Sequence, residues 1–141
     1  MTITSDPRTA QVGDLLPAFV RETGFHIWNR YAAVNYEFVP IHMDDEAGRE
    51  AGYASAFGMG NLQWAYLHNM LRAWLGDAGV IRKIGLQYRS ANVKGQTLSA
   101  CGRVAATHDA ATERVLDLEV WIENQDGGTM APGTATVVVR R

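Results

Sequence analysis

The segment from Gly58 to Leu75 limits what this chain can fold into more than any other. Read at 3.6 residues per turn, Leu62, Ala65, Tyr66, Met70 and Ala73 fall on one face, while Trp64, Leu67, Leu71, Trp74 and Leu75 occupy others. Only Asn61, Gln63, His68, Asn69 and Arg72 are polar, and Trp64, Met70 and Trp74 read as core. A helix that is apolar around most of its girth is stable only when buried on most sides. In a chain of 141 residues, one domain's length, that burial requires a sheet curled around the helix. Gly76 supplies the stop.

The second half of the chain changes period. Ile84, Leu86 and Tyr88 alternate with polar or small residues, as do Leu98, Ala100, Gly102 and Val104. Leu116, Leu118, Val120 and Ile122 form a third such run, and Ala135, Val137 and Val139 a fourth. Period two is the signature of a half-buried strand. Residues 92–96, 108–112 and 125–128 carry the turn signals between the strands, which predicts an antiparallel meander. One buried helix followed by such a sheet is an α+β arrangement. Trp121 and Val138 lie on the strand faces opposite the helix-facing set.

The first half reads as short pieces. Residues 1–14 form a loose polar lead-in with Pro7 and Gly13, and Leu15 to Glu22 a first strand. Thr23 is placed to cap a helix from Gly24 to near Asn35, with Phe25, Trp28 and Ala32 on one face. Pro40 pushes Val39 to an extended conformation, so that helix ends before Val39. Asp44, Asp45 and Glu46 open another short helix, where acidic residues suit the positive end of the helix dipole, and Gly52 ends it.

Composition removes several classes of function. Thirteen Lys+Arg stand against fifteen Asp+Glu with no basic block, which excludes a nucleic-acid partner. The single Cys101 forbids an internal disulfide and reads as a buried strand residue. The N-terminal residues lack an apolar run of signal-peptide length, and no run reaches membrane-spanning length. The expected location is the cytoplasm, away from membranes. Four His without ligand spacing argue against a structural zinc site.

The chemistry-bearing stretch is YAAVNYEFVPIH, from Tyr31 to His42. It holds a carboxylate, Glu37, then a turn proline, then an imidazole, His42. A carboxylate and an imidazole five residues apart converge on one small volume if the chain turns between them. Tyr31 reads either as a core aromatic or as a site residue, and Asn35 either as a helix cap or as a group reaching the pocket. His26, His68 and His108 read as non-catalytic.

Tyr31, Pro40, Ile41 and His42 stand where the MaoC-like hydratase/dehydratase family carries its tyrosine and its asparagine-proline-aliphatic-histidine run. From about Gln11 onward the chain resembles that family, with ASAFGMGNL similar to its lead into the central helix and RKIGLQYRSANVKGQTLSACGRV to its next two strands. The resemblance implies a single hotdog domain over residues 1–141, an antiparallel sheet wrapped around a long central helix. It implies hydration of 2-enoyl thioesters, or dehydration of 3-hydroxyacyl thioesters, carried on coenzyme A or an acyl carrier protein. It implies Glu37 and His42 as the catalytic pair and the Gly58 amide as donor to the thioester oxygen. Tyr31, Asn35, Val39, Phe57 and Met59 would then contact substrate. No metal or redox cofactor is implied, since coenzyme A or pantetheine is part of the substrate. The partner is a second hotdog chain, in a homodimer or in a heterodimer with a related subunit.

The chain departs from that pattern at three places. Glu37 replaces an aspartate and moves its oxygens by about 1.5 Å, one bond length. Val39 replaces an asparagine, and Phe57 replaces a histidine, making that wall more apolar. These changes keep two alternatives open: a non-catalytic accessory subunit of a heteromeric dehydratase, and a dehydratase or cyclase of secondary metabolism with a bulky substrate.

Overall fold

The computed structural model describes residues 2–141. Its elements run β1 (Phe19–Glu22), α1 (Phe25–Asn35), a 3-10 turn (Pro40–His42), α2 (Asp45–Glu50), α3 (Gly60–Leu75), β2 (Gly79–Leu86), β3 (Thr97–Asp109), β4 (Glu113–Asn124) and β5 (Thr129–Arg140). The five strands form one antiparallel sheet in the order β1-β3-β4-β5-β2. The predicted meander therefore holds for β3, β4 and β5, but β2 crosses over to pair with β5 and β1 takes the other edge. The period-two patterns carry the face of each strand and not the identity of its neighbour.

The register explains the core. Ala100, Gly102 and Val104 of β3 lie opposite Ile122, Val120 and Leu118 of β4. Leu118 and Leu116 in turn oppose Ala135 and Val137 of β5. All these residues are buried, and together they form the sheet face on which α3 packs. From α3, Leu62, Tyr66, Leu67, Met70, Leu71, Trp74 and Leu75 enter that core. Full burial of one such side chain contributes about 1.5–3 kcal/mol. A bulge after Val104 shifts the alternation before the strand ends at Asp109. Val138, on the other side of β5, is buried as well, between Val80 and Val115 in register.

Four expectations are corrected by the packing. Trp64 is 42 % exposed and Ala73 is exposed, so α3 keeps one face out of the core. Gln63, a polar residue, is buried in their place, donating to the Ser90 carbonyl at 3.0 Å. The lead-in is not loose. Ile3 bridges Leu15, Ala10 is buried, and the Thr4 carbonyl accepts the Trp74 indole N–H at 3.0 Å. Thr23 does not cap α1; its hydroxyl donates to the Val93 carbonyl at 2.7 Å, tying the α1 start to the turn before β3. Tyr88 lies beyond the end of β2 and is half exposed.

The acidic cluster caps α2. The Asp44 carboxylate accepts the Ala47 N–H at 3.0 Å, and Asp45 accepts the Ala56 N–H at 3.1 Å and Lys94 Nζ at 2.7 Å. These bonds, with the Lys94 hydrogen bond foremost, hold the Asp45 carboxyl below its ordinary range. Among the described residues no helix is long and apolar enough to cross a membrane.

Candidate active site

Helix α1 ends abruptly. Tyr36 adopts the left-handed conformation at φ 56°, the only non-glycine residue with positive φ among those described. A non-glycine residue held there costs on the order of 1 kcal/mol, and such strain concentrates at functional sites. The consequence is local: the amides of Tyr36 and Glu37 both turn back onto the Ala32 carbonyl. Glu37 is thereby brought, half buried, to the end of α1 rather than continuing away from it.

Around Glu37 the structure gathers Tyr31, Asn35, Asn61 and Tyr88. Asn35 Nδ2 donates to the Tyr31 hydroxyl at 2.9 Å, and the Tyr88 hydroxyl donates to Asn61 Oδ1 at 3.0 Å. Burial raises the Tyr31 phenol, and the charges of Glu37 and Tyr88 raise it further. Burial and the Glu37 charge raise the Tyr88 phenol as well. Asn35 is thus a pocket residue and not the cap, which is Tyr36. The sequence pattern marked Tyr88 only as a strand residue and Asn61 only as a polar position of the central helix, not as residues of this site.

His42 belongs to a second group. Pro40 fixes the start of the 3-10 turn, and His42 at its end is 8 % exposed. Its Nδ1 lies 2.6 Å from the Phe57 carbonyl oxygen, and its ring meets the Phe57 ring edge-on at 5.4 Å. The Phe57 ring also packs against Tyr53, with ring centroids 4.0 Å apart. A carbonyl oxygen only accepts, so Nδ1 carries the proton and neutral His42 keeps the lone pair on Nε2. Both groups border the start of α3: Phe57 leads into it, and the Tyr88 ring packs on Gly60. Val39 is partly exposed on the linker between Glu37 and His42.

The approach to α3 is held by Asn92, which is fully buried. Its Oδ1 accepts the Trp28 indole N–H at 2.9 Å, and its Nδ2 donates to the Met59 carbonyl at 3.2 Å. Its carbonyl accepts the Gly58 N–H at 2.7 Å. A Cβ at Gly58 would collide with Asn92 Oδ1 and Trp28 Nε1, so only glycine fits. Two expectations change here. The Gly58 amide is committed to a backbone acceptor and is not a free donor. Met59 is 1 % exposed and belongs to the core, not to a substrate wall. Of the first-turn amides of α3, that of Leu62 bonds the Met59 carbonyl at 3.2 Å, and helix geometry leaves those of Gly60 and Asn61 without an intrahelical partner.

Tyr31 and Asn35 continue into an open trough between α1 and α3. One hollow, of about 370 Å³, is lined by both residues with Asn61, Trp64, Ala65, His68 and Asn69. Among the described residues no three His, Cys, Asp or Glu side chains gather as a metal site would need. His108 pairs with Asp117 at 3.1 Å on the sheet, far along the chain from this cluster.

No known family's sequence profile matches this chain, and no curated protein matches it in sequence. Solved structures do match in fold. The (R)-hydratase from A. caviae involved in PHA biosynthesis superposes with a TM-score of 0.82 at 20 % identity, covering 92 % of this chain and 97 % of the other. The MaoC-like dehydratase from Rhodospirillum rubrum gives 0.83 at 20 % identity, covering 96 % and 97 %. The ChsH1-ChsH2 complex from Mycobacterium tuberculosis gives 0.81 at 20 % identity, covering 92 % and 98 %. The chain has the single-domain hotdog fold, in the form that MaoC-like dehydratases and (R)-hydratases share.

Proposed function

We propose that this protein is a hydro-lyase of the MaoC-like kind. It adds water to 2-enoyl groups, or removes it from 3-hydroxyacyl groups, carried as thioesters on coenzyme A or a carrier protein. The observation that carries this reading is the protonation geometry of His42, whose Nδ1–H bond to the Phe57 carbonyl leaves Nε2 as a proton acceptor beside the start of α3. The carboxylate of Glu37 lies on the same border, among hydroxyls and amides that suit an oxygenated ligand.

In the hydration direction a base takes one proton from water as its oxygen bonds to C3. The electrons of the C2–C3 double bond move onto the thioester oxygen, giving an enolate. That charge collapses back as C2 takes a proton, and water has been added across the double bond. Glu37 and His42 Nε2 both start as acceptors, so one of them takes the proton from water and the same proton is then returned to C2. Because the Gly58 amide is already bonded, first-turn amides of α3 are the donors for the enolate oxygen, where the helix dipole also favours negative charge.

A second reading is an accessory subunit paired with a related chain. One observation favours it: Val34, Tyr36, Phe38, Val39 and Met43 are all exposed around Glu37, an apolar rim that a second hotdog chain would cover. The ChsH1-ChsH2 structure is that of a complex, which fits pairing with a related chain. The deciding assay follows the ultraviolet absorbance of trans-2-enoyl coenzyme A thioesters with purified protein, with size measured in parallel by light scattering. Turnover by the protein alone supports the enzyme. A folded protein inert on every thioester until a partner chain is added supports the accessory subunit.

A further inference from the structure

The segment that carries the Phe57 carbonyl is gripped from two sides. On one side lies the stretch that holds His42. There Phe57 N–H donates to the Ile41 carbonyl at 3.2 Å, and Ala56 N–H donates to Asp45 Oδ1 at 3.1 Å. His42 Nδ1 lies 2.6 Å from the Phe57 oxygen between these two bonds. Gly48 of α2 comes so close that a Cβ there would collide with the Ser55 carbonyl. On the other side lies the turn before β3, where Phe57 bridges Val93 and Gly58 N–H donates to the Asn92 carbonyl at 2.7 Å. An ion pair joins the two sides across forty-nine residues of sequence: Lys94 Nζ meets both Asp45 oxygens, at 2.7 and 2.9 Å. The same cation lies 4.8 Å from the centroid of the Phe25 ring, which ties it to the start of α1 as well.

From this arrangement, and resting on the hydro-lyase reading above, we infer that Asp45 and Lys94 are positioning residues for His42. Asp45 Oδ1 is shared, accepting the Lys94 cation and the Ala56 N–H together. The cation thereby holds the carboxylate where it fixes Ala56, and Ala56 directly precedes the residue whose carbonyl orients the imidazole. Without the cation the carboxylate turns to water, and the Phe57 carbonyl loses one of its supports. A histidine keeps one tautomer only while the partner of its protonated nitrogen stays in place. Both members of the pair are 35 % exposed, and an ion pair so placed adds little to stability. Its loss is therefore expected to show in the His42 ring and not in the melting curve. Neither residue lines the trough beside Glu37, so the effect falls on kcat more than on KM.

The test is nitrogen NMR of the neutral His42 ring on isotope-labelled protein, with the enoyl-thioester assay in parallel. The ring signals are assigned by their absence from His42→Asn. The wild type is expected to show a protonated Nδ1 and a bare Nε2. Lys94→Met keeps the aliphatic stem over Phe25 and removes the cation. It is expected to hold its melting temperature, to bring the second tautomer into the ring signals, and to lower kcat by about tenfold to a hundredfold with KM little changed. Arg49→Met removes the Arg49–Glu46 pair on the same helix and is expected to leave both readouts alone. Ring signals in Lys94→Met identical to the wild type, an unchanged kcat, or equal effects from Arg49→Met overturn the inference. The ring signals do not depend on turnover, so the two readings fail separately. A second tautomer in Lys94→Met, from a wild type inert on every enoyl thioester, keeps the positioning of His42 and removes the hydro-lyase reading. Turnover with the ring signals unmoved does the reverse, and neither turnover nor a moved signal removes both.

Discussion

His42 and Phe57 are fifteen residues apart in sequence, yet the imidazole Nδ1 lies 2.6 Å from the Phe57 carbonyl. That bond fixes both the tautomer and the ring orientation, and it leaves Nε2 as the only nitrogen free to move a proton. His42→Asn separates the two roles. The asparagine amide retains an N–H donor near the position of Nδ1 but has nothing in place of Nε2. The expected variant is folded, with kcat for enoyl-thioester hydration reduced by about 10²–10⁴-fold. Turnover within a fewfold of wild type, from a protein with an unchanged melting curve, would show that Nε2 takes no part.

Glu37 makes a prediction with two independent readouts. Glu37→Gln removes the charge and keeps the shape, so hydration is expected to fall by about 10²–10⁴-fold. The same charge disfavours ionisation of the Tyr31 and Tyr88 phenols, each of which burial already raises. With the charge gone, phenolate forms at lower pH, and a spectrophotometric titration of the tyrosines shifts downward. An unshifted titration would mean that the carboxylate does not face the two phenols. Glu37→Asp should lose about a hundredfold or less, because shortening displaces the oxygens without removing them.

What was legible in the sequence depended on the kind of signal. The apolar girth of α3 and the period-two runs of β3, β4 and β5 were readable because burial acts on every residue of a regular element. The opening of α2 at the acidic cluster was readable because helix-end signals are local, though the side-chain cap that Asp44 makes to Ala47 was not foreseen. Which face of α3 stays open was not, since Trp64 is as apolar as Trp74 and the difference is tertiary: the Trp74 indole bonds the Thr4 carbonyl seventy residues away, while Trp64 lines the open trough. The site roles of Asn92 and Tyr88 were hidden for a different reason. Both lie off the regular strands, and their partners are 64 and 27 residues away.

Asn92 carries a stability prediction. Its side chain is the partner of both the Trp28 indole N–H and the Met59 carbonyl, in a site with no exposure. Asn92→Ala orphans both groups, at about 1–3 kcal/mol for each buried group left unpaired. A melting temperature lower by several degrees is the expected result in a thermal scan. Gly58→Ala should be comparably damaging, because its Cβ meets Asn92 Oδ1 and Trp28 Nε1. Residues in direct contact are not additive, so the double variant is expected to cost less than the two single changes together. Strict additivity would mean that the two sites do not meet.

Cys101 closes the set with a pH dependence. Its thiol is half buried in β3, and burial, the Glu123 charge and the hydrogen bond that the S–H donates to that carboxylate push it from 9.0 up to about 11. The native protein is therefore expected to resist alkylation at pH 8 and to react once denatured, since the thiolate is the nucleophile. The stability consequence has a definite sign. Below pH 9 the thiol is protonated in both states, and its contribution to folding is fully present. Between about pH 9 and 11 the unfolded chain releases the proton while the folded chain holds it, so that contribution is lost as pH rises. Denaturant unfolding across this range should give a shallower decline for Cys101→Ala than for the wild type. The buried tyrosines have the same sign but are common to both proteins, so the difference between the two slopes belongs to the thiol. Parallel slopes would mean that the Cys101 thiol ionises alike in the folded and unfolded chain.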